Sequence, residues 1–165
     1  MKKLAMVLLV LAVSAAAAAP PAWSQARKTD VSLNLGVQTN IWHGTSFDNA
    51  WFTVDLRVGV PLGKNLELAP ELMYATDDSL EFAFHNLYPG VVLNYRSGGF
   101  FAGAGAVLPI GFGGGESDTA SPSPKINLGY DLGKLKLSAY FLMFLDSGID
   151  FLDVNQAGIT LGYKF

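Results

Sequence analysis

The sequence predicts an all-β fold, an eight-stranded antiparallel up-and-down transmembrane β-barrel. Three observations support this prediction. Apolar and polar residues alternate with a period of two along most of the chain, as in strands that present one apolar face. Short and long connections between these segments alternate strictly. Beyond the N-terminal region, no apolar run reaches the roughly 18 residues of a membrane-spanning helix.

Residues 1–26 predict a cleaved secretory signal peptide. Lys2 and Lys3 precede an apolar stretch, an alanine run and a small-residue pattern that ends at Ala26. The apolar stretch is shorter than the about 20 residues that a helix needs to span a bilayer. We therefore expect cleavage after Ala26, with positions 19–21 as the alternative, and a single barrel domain over residues 27–165.

The composition excludes several classes of function. From Arg27 onward nine basic side chains stand against fourteen acidic ones, a net charge of about −5, so nucleic acid is not an expected partner. The chain has no cysteine, which excludes disulfides and thiolate metal sites, and we expect neither a metal nor a cofactor. Half of the residues are apolar and only 15% are charged, as expected for a barrel whose outer wall contacts lipid.

Eight strands account for most of residues 27–165. They are predicted at about 31–39, 51–60, 66–74, 83–95, 100–110, 125–132, 135–144 and from 157 to the end. The fourth strand is the least regular, because Phe82 and Phe84 fall on the face opposite to its other apolar residues. We therefore predict a β-bulge near His85, and the facing of residues 82–90 stays open.

The connections between the strands give the barrel two different ends. The short links 61–65, 96–99 and 133–134 predict tight turns, whereas 40–50, 75–81, 111–124 and 145–153 predict longer loops. Bacterial outer-membrane barrels have short periplasmic turns and longer extracellular loops. Aromatic residues at the strand ends predict two interfacial girdles, formed on the turn side by Tyr95, Phe100, Tyr163 and Phe165 and on the loop side by Trp42, Trp51, Tyr74 and Phe151.

The last strand carries the most specific pattern of the chain. Its apolar face consists of Ile159, Leu161, Tyr163 and Phe165, with small or polar residues between them. Residues 27–165 resemble the small outer-membrane barrels of the OmpA transmembrane-domain, OmpX, OmpW and opacity-protein type. The pattern of the last strand is the most specific feature of this resemblance. The resemblance implies an outer-membrane location, contact with outer-membrane lipid and lipopolysaccharide, and recognition of these four residues by the barrel-assembly machinery. We further expect a monomer.

The interior of an eight-stranded barrel is just wide enough to be filled by side chains. The alternation places four acidic and four basic residues on the inner face, and we expect them to pair. They are Asp55, Arg57, Glu67, Glu71, Lys125, Asp131, Lys136 and Lys164. Such a network either forms a plug that holds the wall rigid or lines a narrow ion path.

The sequence therefore favours a non-enzymatic integral outer-membrane barrel that contributes to envelope integrity or to surface interaction through its extracellular loops. The first alternative is a narrow porin-like channel for ions or small molecules. The second is a lipid A-modifying enzyme, since His85 lies close in sequence to Ser79 and Glu81. Lipid A deacylases carry a His-x-Ser pair, whereas Asn86 and Leu87 follow His85 here, so the expected nucleophile is missing. His43 is the only other histidine.

Other patches have weaker functional interpretations. The glycine-rich segment 111–116 lacks the spacing of a phosphate-binding loop and predicts flexibility instead. Gly103 and Gly105 offer a thin place in the wall for a lateral route. Three carboxylates could bind calcium weakly, namely Asp146, Asp150 and Asp153. Residues at the outer rim could anchor a loop ligand or form part of the interfacial belt: Phe47, Trp51, Ile149, Phe151 and Leu152.

Overall fold

A computed structural model describes residues 28–42, 46–77, 84–113, 116–144 and 154–165. Its secondary structure consists of the strands β1 (Asp30–Trp42), β2 (Ser46–Pro61), β3 (Leu66–Asp77), β4 (Phe84–Ser97), β5 (Phe100–Val107), β6 (Ile110–Gly113), β7 (Glu116–Thr119), β8 (Ser123–Leu132), β9 (Leu135–Met143) and β10 (Val154–Lys164). Within these ranges, no helix is long and apolar enough to cross a membrane. The predicted signal peptide, residues 1–26, lies outside the described residues.

Eight of the strands close into an antiparallel barrel. The order around the sheet is β3-β2-β1-β10-β9-β8-β5-β4, and pairing of β4 with β3 completes the circle. Barrel strands that follow one another along the chain pair with each other, and β1 pairs with β10, the last strand, to close the circle. This is an up-and-down arrangement. The predicted fold class is therefore confirmed. We call the end with the short connections the turn end and the opposite end the loop end.

Two tight turns of the turn end depend on glycine. Gly98 begins the two-residue turn between β4 and β5, and Gly133 begins the one between β8 and β9. Their φ angles are 60° and 75°, in the left-handed region that a side chain disfavours. A positive φ at the first central residue matches the twist of the flanking strands, so these turns form as the sequence predicts.

The fourth strand is more regular than its sequence predicts. β4 pairs with β3 from His85 opposite Thr76 to Tyr95 opposite Leu66 without a shift in register, so the predicted bulge near His85 is wrong. Tyr88 is buried inside the barrel. Apolar residues occupy both faces of this strand, which hides the alternation of facing in the sequence. A register shift lies instead between β1 and β2, at Thr39 and Asn40.

The predicted loop 111–124 is also wrong in part, because it contains the hairpin β6–β7. β6 continues the line of β5 along β4, with Val107 opposite Gly90 and Ile110 opposite Leu87. Leu108 and Pro109 interrupt the strand, since proline has no N–H for a ladder hydrogen bond. The glycine-rich segment 111–116 thus contributes to two strands, and its residues 114–115 lie outside the described part.

The two faces of the wall have opposite chemistry. Outward-facing apolar side chains are largely exposed, for example Leu35 at 58% and Ile159 at 59%. Inward-facing Asn34 and Lys136, by contrast, are at most 1% exposed. A barrel that buries its polar groups and exposes its apolar ones is suited to a hydrocarbon surrounding rather than to water.

The aromatic residues follow the girdle prediction at the turn end but not throughout. Tyr95, Phe100, Tyr163 and Phe165 are exposed on the outer face. Trp51, in contrast, packs against the buried apolar cluster inside the barrel, so its assignment to the outer girdle and to the exposed rim anchors was wrong. Its neighbour Phe52 faces outward and is 58% exposed. The side chains of Phe47 and Trp42 and the residues Ile149, Phe151 and Leu152 lie outside the described part.

Candidate functional site

The candidate site is the barrel interior, which side chains fill at three levels. The alternation of each strand places one set of polar residues inward, and the antiparallel registers bring them to matching heights. From the turn end, we call the levels the turn-side cluster (Glu67, Arg96, Asp131 and Lys164), the middle cluster (Asp55, Arg57, Glu71 and Lys125) and the loop-side layer (Gln38, Asn40, Tyr88, Tyr140 and Gln156).

Arg96 is the centre of the turn-side cluster. Its Nη1 lies 2.5 Å from Oε2 of Glu67, and its Nη2 pairs with Oδ2 of Asp131. Lys164 Nζ reaches the same Asp131 oxygen at 3.1 Å. Asn94 donates from Nδ2 to Oε1 of Glu67 at 3.1 Å. Two carboxylates thus share two cations and an amide, as buried charges require.

Glu71 is the centre of the middle cluster. Its side chain is fully buried and accepts from Arg57 Nη2 at 2.7 Å and from Lys125 Nζ at 2.5 Å. Arg57 also lies 3.5 Å from Oδ2 of Asp55, which accepts from Asn34 Nδ2 at 3.1 Å. Lys125 belongs to β8, three strands away from Glu71 in β3, so this ion pair crosses the interior.

The loop-side layer contains no charged side chain and consists of hydrogen-bonded amides and phenols. Tyr88 OH donates to Oε1 of Gln156 at 3.2 Å, and Tyr140 OH donates to Oε1 of Gln38 at 2.8 Å. Gln38 Nε2 donates to Gln156 Oε1 at 3.3 Å, and Gln156 Nε2 donates to Asn40 Oδ1 at 2.9 Å. Apolar side chains pack around these groups, among them Trp51, Met73, Val107, Leu142 and Phe144.

Lys136 differs from the other inward cations. Its side chain is fully buried, and its Nζ lies 5.0 Å from the ring centroid of Phe101, over which the Arg96 guanidinium also lies, at 5.3 Å. Among the described residues, Lys136 Nζ has no hydrogen-bond partner. Its contact with the aromatic ring is a cation–π interaction. Lys136 is therefore the one predicted network residue that the structure does not place in an ion pair within the described part of the chain.

Glycines on the inner face make room for the larger side chains. A Cβ at Gly129 would collide with the ring of Phe101, and a Cβ at Gly158 would collide with the ring of Tyr140. At Gly103 the amide oxygens of Asn94 and Asn127 occupy the space that a Cβ would need. Gly103 therefore adds no side chain to the wall, but the side chains of Asn94 and Asn127 cover it from inside the barrel.

Sequence reasoning does not assign Arg96 to the interior and does not identify the loop-side layer as part of the site. Arg96 was assigned to a turn, although it follows outward-facing Tyr95 and the alternation therefore turns it inward. The alternation also turns Gln38 and Tyr140 of the loop-side layer inward, but uncharged side chains give no indication of which partners they bind. Gln38 and Gln156 contact each other across 118 residues of sequence, a pairing that no local pattern contains.

The candidate catalytic residue His85 lies on the other side of the wall. By the alternation of β4, His85 lies on the outer face of the barrel. Its Nδ1 forms a hydrogen bond of 2.6 Å with Tyr74 OH. The two rings are stacked, with centroids 5.8 Å apart. Ser79, Glu81 and His43 lie outside the described residues, as do Asp146, Asp150 and Asp153. In the described ranges, no group of three or more potential ligands could hold a metal ion.

The closed barrel, its apolar outer wall and its buried ionic interior define a transmembrane β-barrel protein. The chain is similar to a de novo designed transmembrane β-barrel, with a TM-score of 0.56 and 14% identity over 85% of this chain and 98% of that one. It is similar to Neisserial surface protein A, with a TM-score of 0.56 and 13% identity over 82% of this chain and 95% of that one. Neither a family model nor a curated protein matches the sequence. These likenesses show a shared fold, which by itself does not determine function.

Proposed function

We propose that this protein is a non-enzymatic integral outer-membrane barrel with a sealed interior, which contributes to envelope integrity and presents its loops at the cell surface. The outer-membrane location is supported by the apolar wall, by the predicted signal peptide and by the alternation of short turns and long loops. In this proposal its partners are outer-membrane lipid and lipopolysaccharide along the wall, and a loop ligand at the loop end.

The observation that carries the proposal is the contact between Tyr88 and Gln156. The two residues belong to β4 and β10, which are four strands apart in either direction around the eight-stranded barrel. The two side chains therefore extend from opposite walls and meet in a hydrogen bond inside the barrel. Tyr140 and Gln38 form a second hydrogen bond, of 2.8 Å, in the same layer. These bonds and the surrounding apolar contacts support the proposal that no continuous water path passes this layer.

A narrow channel is the second candidate, and one observation favours it. Several buried polar atoms between the turn end and the middle cluster have no hydrogen-bond partner among the described residues, including both amide atoms of Asn127, Oδ1 of Asn94 and Nζ of Lys136. Buried groups of this kind are commonly bonded to ordered water. The turn-side half of the interior thus suits water, which a narrow channel would need.

Single-channel recording in a planar bilayer tests the proposal. The refolded full chain is first examined by heat-dependent gel mobility, so that a silent recording reports a folded barrel. We expect no conductance steps from the wild-type protein. Reproducible steps that Lys136→Ala alters would overturn the sealed interior and favour the channel. The double variant Tyr88→Ala/Gln156→Ala, which removes the spanning contact, provides the positive control for insertion and is expected to conduct.

The C-terminal strand is the proposed recognition element for the barrel-assembly machinery. Ile159, Leu161, Tyr163 and Phe165 are exposed on its outer face, and the rings of Tyr163 and Phe165 meet edge to face at 5.4 Å. We expect Phe165→Ala to lower the amount of folded protein in the outer membrane of producing cells. The same variant should still refold in detergent, which separates recognition from stability.

A further inference from the structure

We infer that the turn end of the barrel binds the anionic headgroups of phospholipids in the membrane leaflet that surrounds it. The surface concerned is the basic rim, defined here as Lys28, Lys64 and Lys134. All three side chains are exposed and lie in segments at the turn end: Lys28 just before β1, Lys64 between β2 and β3, and Lys134 between β8 and β9.

The distribution of basic residues is unusually one-sided. From Arg27 onward the chain has nine of them. Four are buried in the interior, and Lys164 is half-buried beside Asp131. The remaining cations are the three rim lysines and Arg27, which precedes the described residues. Every basic residue of this region that is exposed in the structure therefore lies at the turn end.

Side-chain carboxylates do not cancel this charge. Glu67 is buried and Asp131 half-buried, and both are bound to Arg96 within the turn-side cluster. Asp30 is half-buried, and its Oδ1 is fully buried next to Gly59. The exposed side-chain charge of the turn end is accordingly positive.

Two of the three rim lysines, Lys64 and Lys134, lie in turns whose residues contact tyrosines at the depth of lipid headgroups. Lys134 Nζ donates to Tyr163 OH at 3.2 Å and lies 5.6 Å from the centroid of that ring. Asn65, next to Lys64, donates to Tyr95 OH at 3.2 Å. Tyr95 and Tyr163 belong to the turn-side girdle, and girdle tyrosines mark the boundary between hydrocarbon and headgroups. The ammonium groups can therefore meet phosphates without leaving the barrel wall.

The loop end has the opposite charge pattern. The segments 40–50, 76–86, 108–122 and 144–154 contain no lysine or arginine. They contain nine acidic residues, which are Asp48, Asp77, Asp78, Glu81, Glu116, Asp118, Asp146, Asp150 and Asp153. The basic rim therefore attracts anionic headgroups to the turn end only. In a membrane whose two leaflets differ in charge, this attraction favours one orientation of the barrel.

Native mass spectrometry of the refolded full chain tests the inference. The protein is incubated with equal amounts of a phosphatidylglycerol and a phosphatidylcholine that carry the same acyl chains, and the lipids retained after detergent removal are counted. We expect preferential retention of phosphatidylglycerol, weakened by roughly fivefold for each rim lysine neutralised at low salt. The preference should decrease as sodium chloride is added.

The deciding comparison is between two triple variants. Lys28→Gln/Lys64→Gln/Lys134→Gln should lose the preference, while Lys28→Arg/Lys64→Arg/Lys134→Arg should keep it, with heat-dependent gel mobility confirming that both fold. A glutamine variant that retains phosphatidylglycerol as well as the wild type does would overturn the inference. Because the rim lies outside the interior, this result is independent of whether the barrel conducts.

Discussion

Tyr88 donates a hydrogen bond of 3.2 Å to Gln156 from the opposite wall of the barrel. In the proposed function, this contact closes the interior on the loop side of the two ionic clusters. The middle cluster lies next to the loop-side layer, and the turn-side cluster lies nearer to the turn end. This order has a physical consequence. The charged groups lie between the turn end and the loop-side layer, whereas the loop-side layer consists of uncharged groups that bond to one another. We therefore expect the stability of the wall and the closure of the lumen to depend on different residues.

The first prediction concerns Glu71, whose carboxylate is bound by Arg57 and Lys125. Glu71→Ala leaves both cations buried without this partner, which should lower the free energy of unfolding by about 3–5 kcal/mol. Urea unfolding in lipid vesicles, followed by tryptophan fluorescence, measures the change. Lys64→Gln at the exposed rim is the control and should change it by no more than about 0.5 kcal/mol. A Glu71→Ala barrel as stable as the control would show that the middle cluster does not stabilise the wall.

The second prediction compares two buried lysines of similar exposure. Lys125 pairs with Glu71, whereas Lys136 meets Phe101 and has no acceptor in the described part of the chain. We expect Lys125→Met to destabilise the barrel by about 3–5 kcal/mol, because it breaks a buried pair. Lys136→Met should be neutral or stabilising, because methionine keeps the contact with the ring and removes the cost of burying a charge. The same unfolding assay measures both, and equal losses would contradict the distinction.

The third prediction concerns His85 on the outer wall. Its partner in the structure is Tyr74, and the wall around them faces away from the interior. An outward position is compatible with lipid A chemistry, but the residues that follow His85 are Asn86 and Leu87, which supply no hydroxyl nucleophile. We therefore expect His85→Ala to leave the lipid A of producing cells unchanged in mass spectrometry. Tyr74→Phe, which removes the same hydrogen bond, is the matched control for any effect on folding. Loss of a lipid A modification in His85→Ala alone would instead support the enzymatic alternative.

The fold could be predicted because most strands have apolar residues on one face and small or polar residues on the other. In β10, apolar residues alternate with glycine, threonine and lysine, and the alternation of burial follows directly. In β4 the separation fails, since buried Tyr88 and Val92 are as apolar as the outward residues beside them. Trp51 was misplaced for the same reason, because an aromatic residue near a strand end fits both an interfacial girdle and an apolar interior layer.

The interior site could be predicted only as a set of residues. Facing follows from the alternation within one strand, but partners depend on how the barrel closes. Glu71 and Lys125 are 54 residues apart in the sequence and meet across the lumen. The hydrogen bonds of the uncharged layer could not be predicted, because glutamine and tyrosine carry no signal of pairing in the sequence.

The most direct measurement of the sealed interior uses thiol labelling, since the wild-type chain has no cysteine. Asn127→Cys places a thiol beyond the loop-side layer, and Ala120→Cys places one at an exposed position of the loop end. A small cationic methanethiosulfonate is added to the loop side of vesicles whose protein orientation has been established by protease cleavage.

We predict that the reagent labels Ala120→Cys and leaves Asn127→Cys unlabelled until the barrel is unfolded. Adding Tyr88→Ala and Gln156→Ala to Asn127→Cys should make the thiol reactive in the folded barrel. Labelling of Asn127→Cys from the loop side in an otherwise unchanged, folded barrel would show that the Tyr88–Gln156 layer does not close the interior, and would contradict the account.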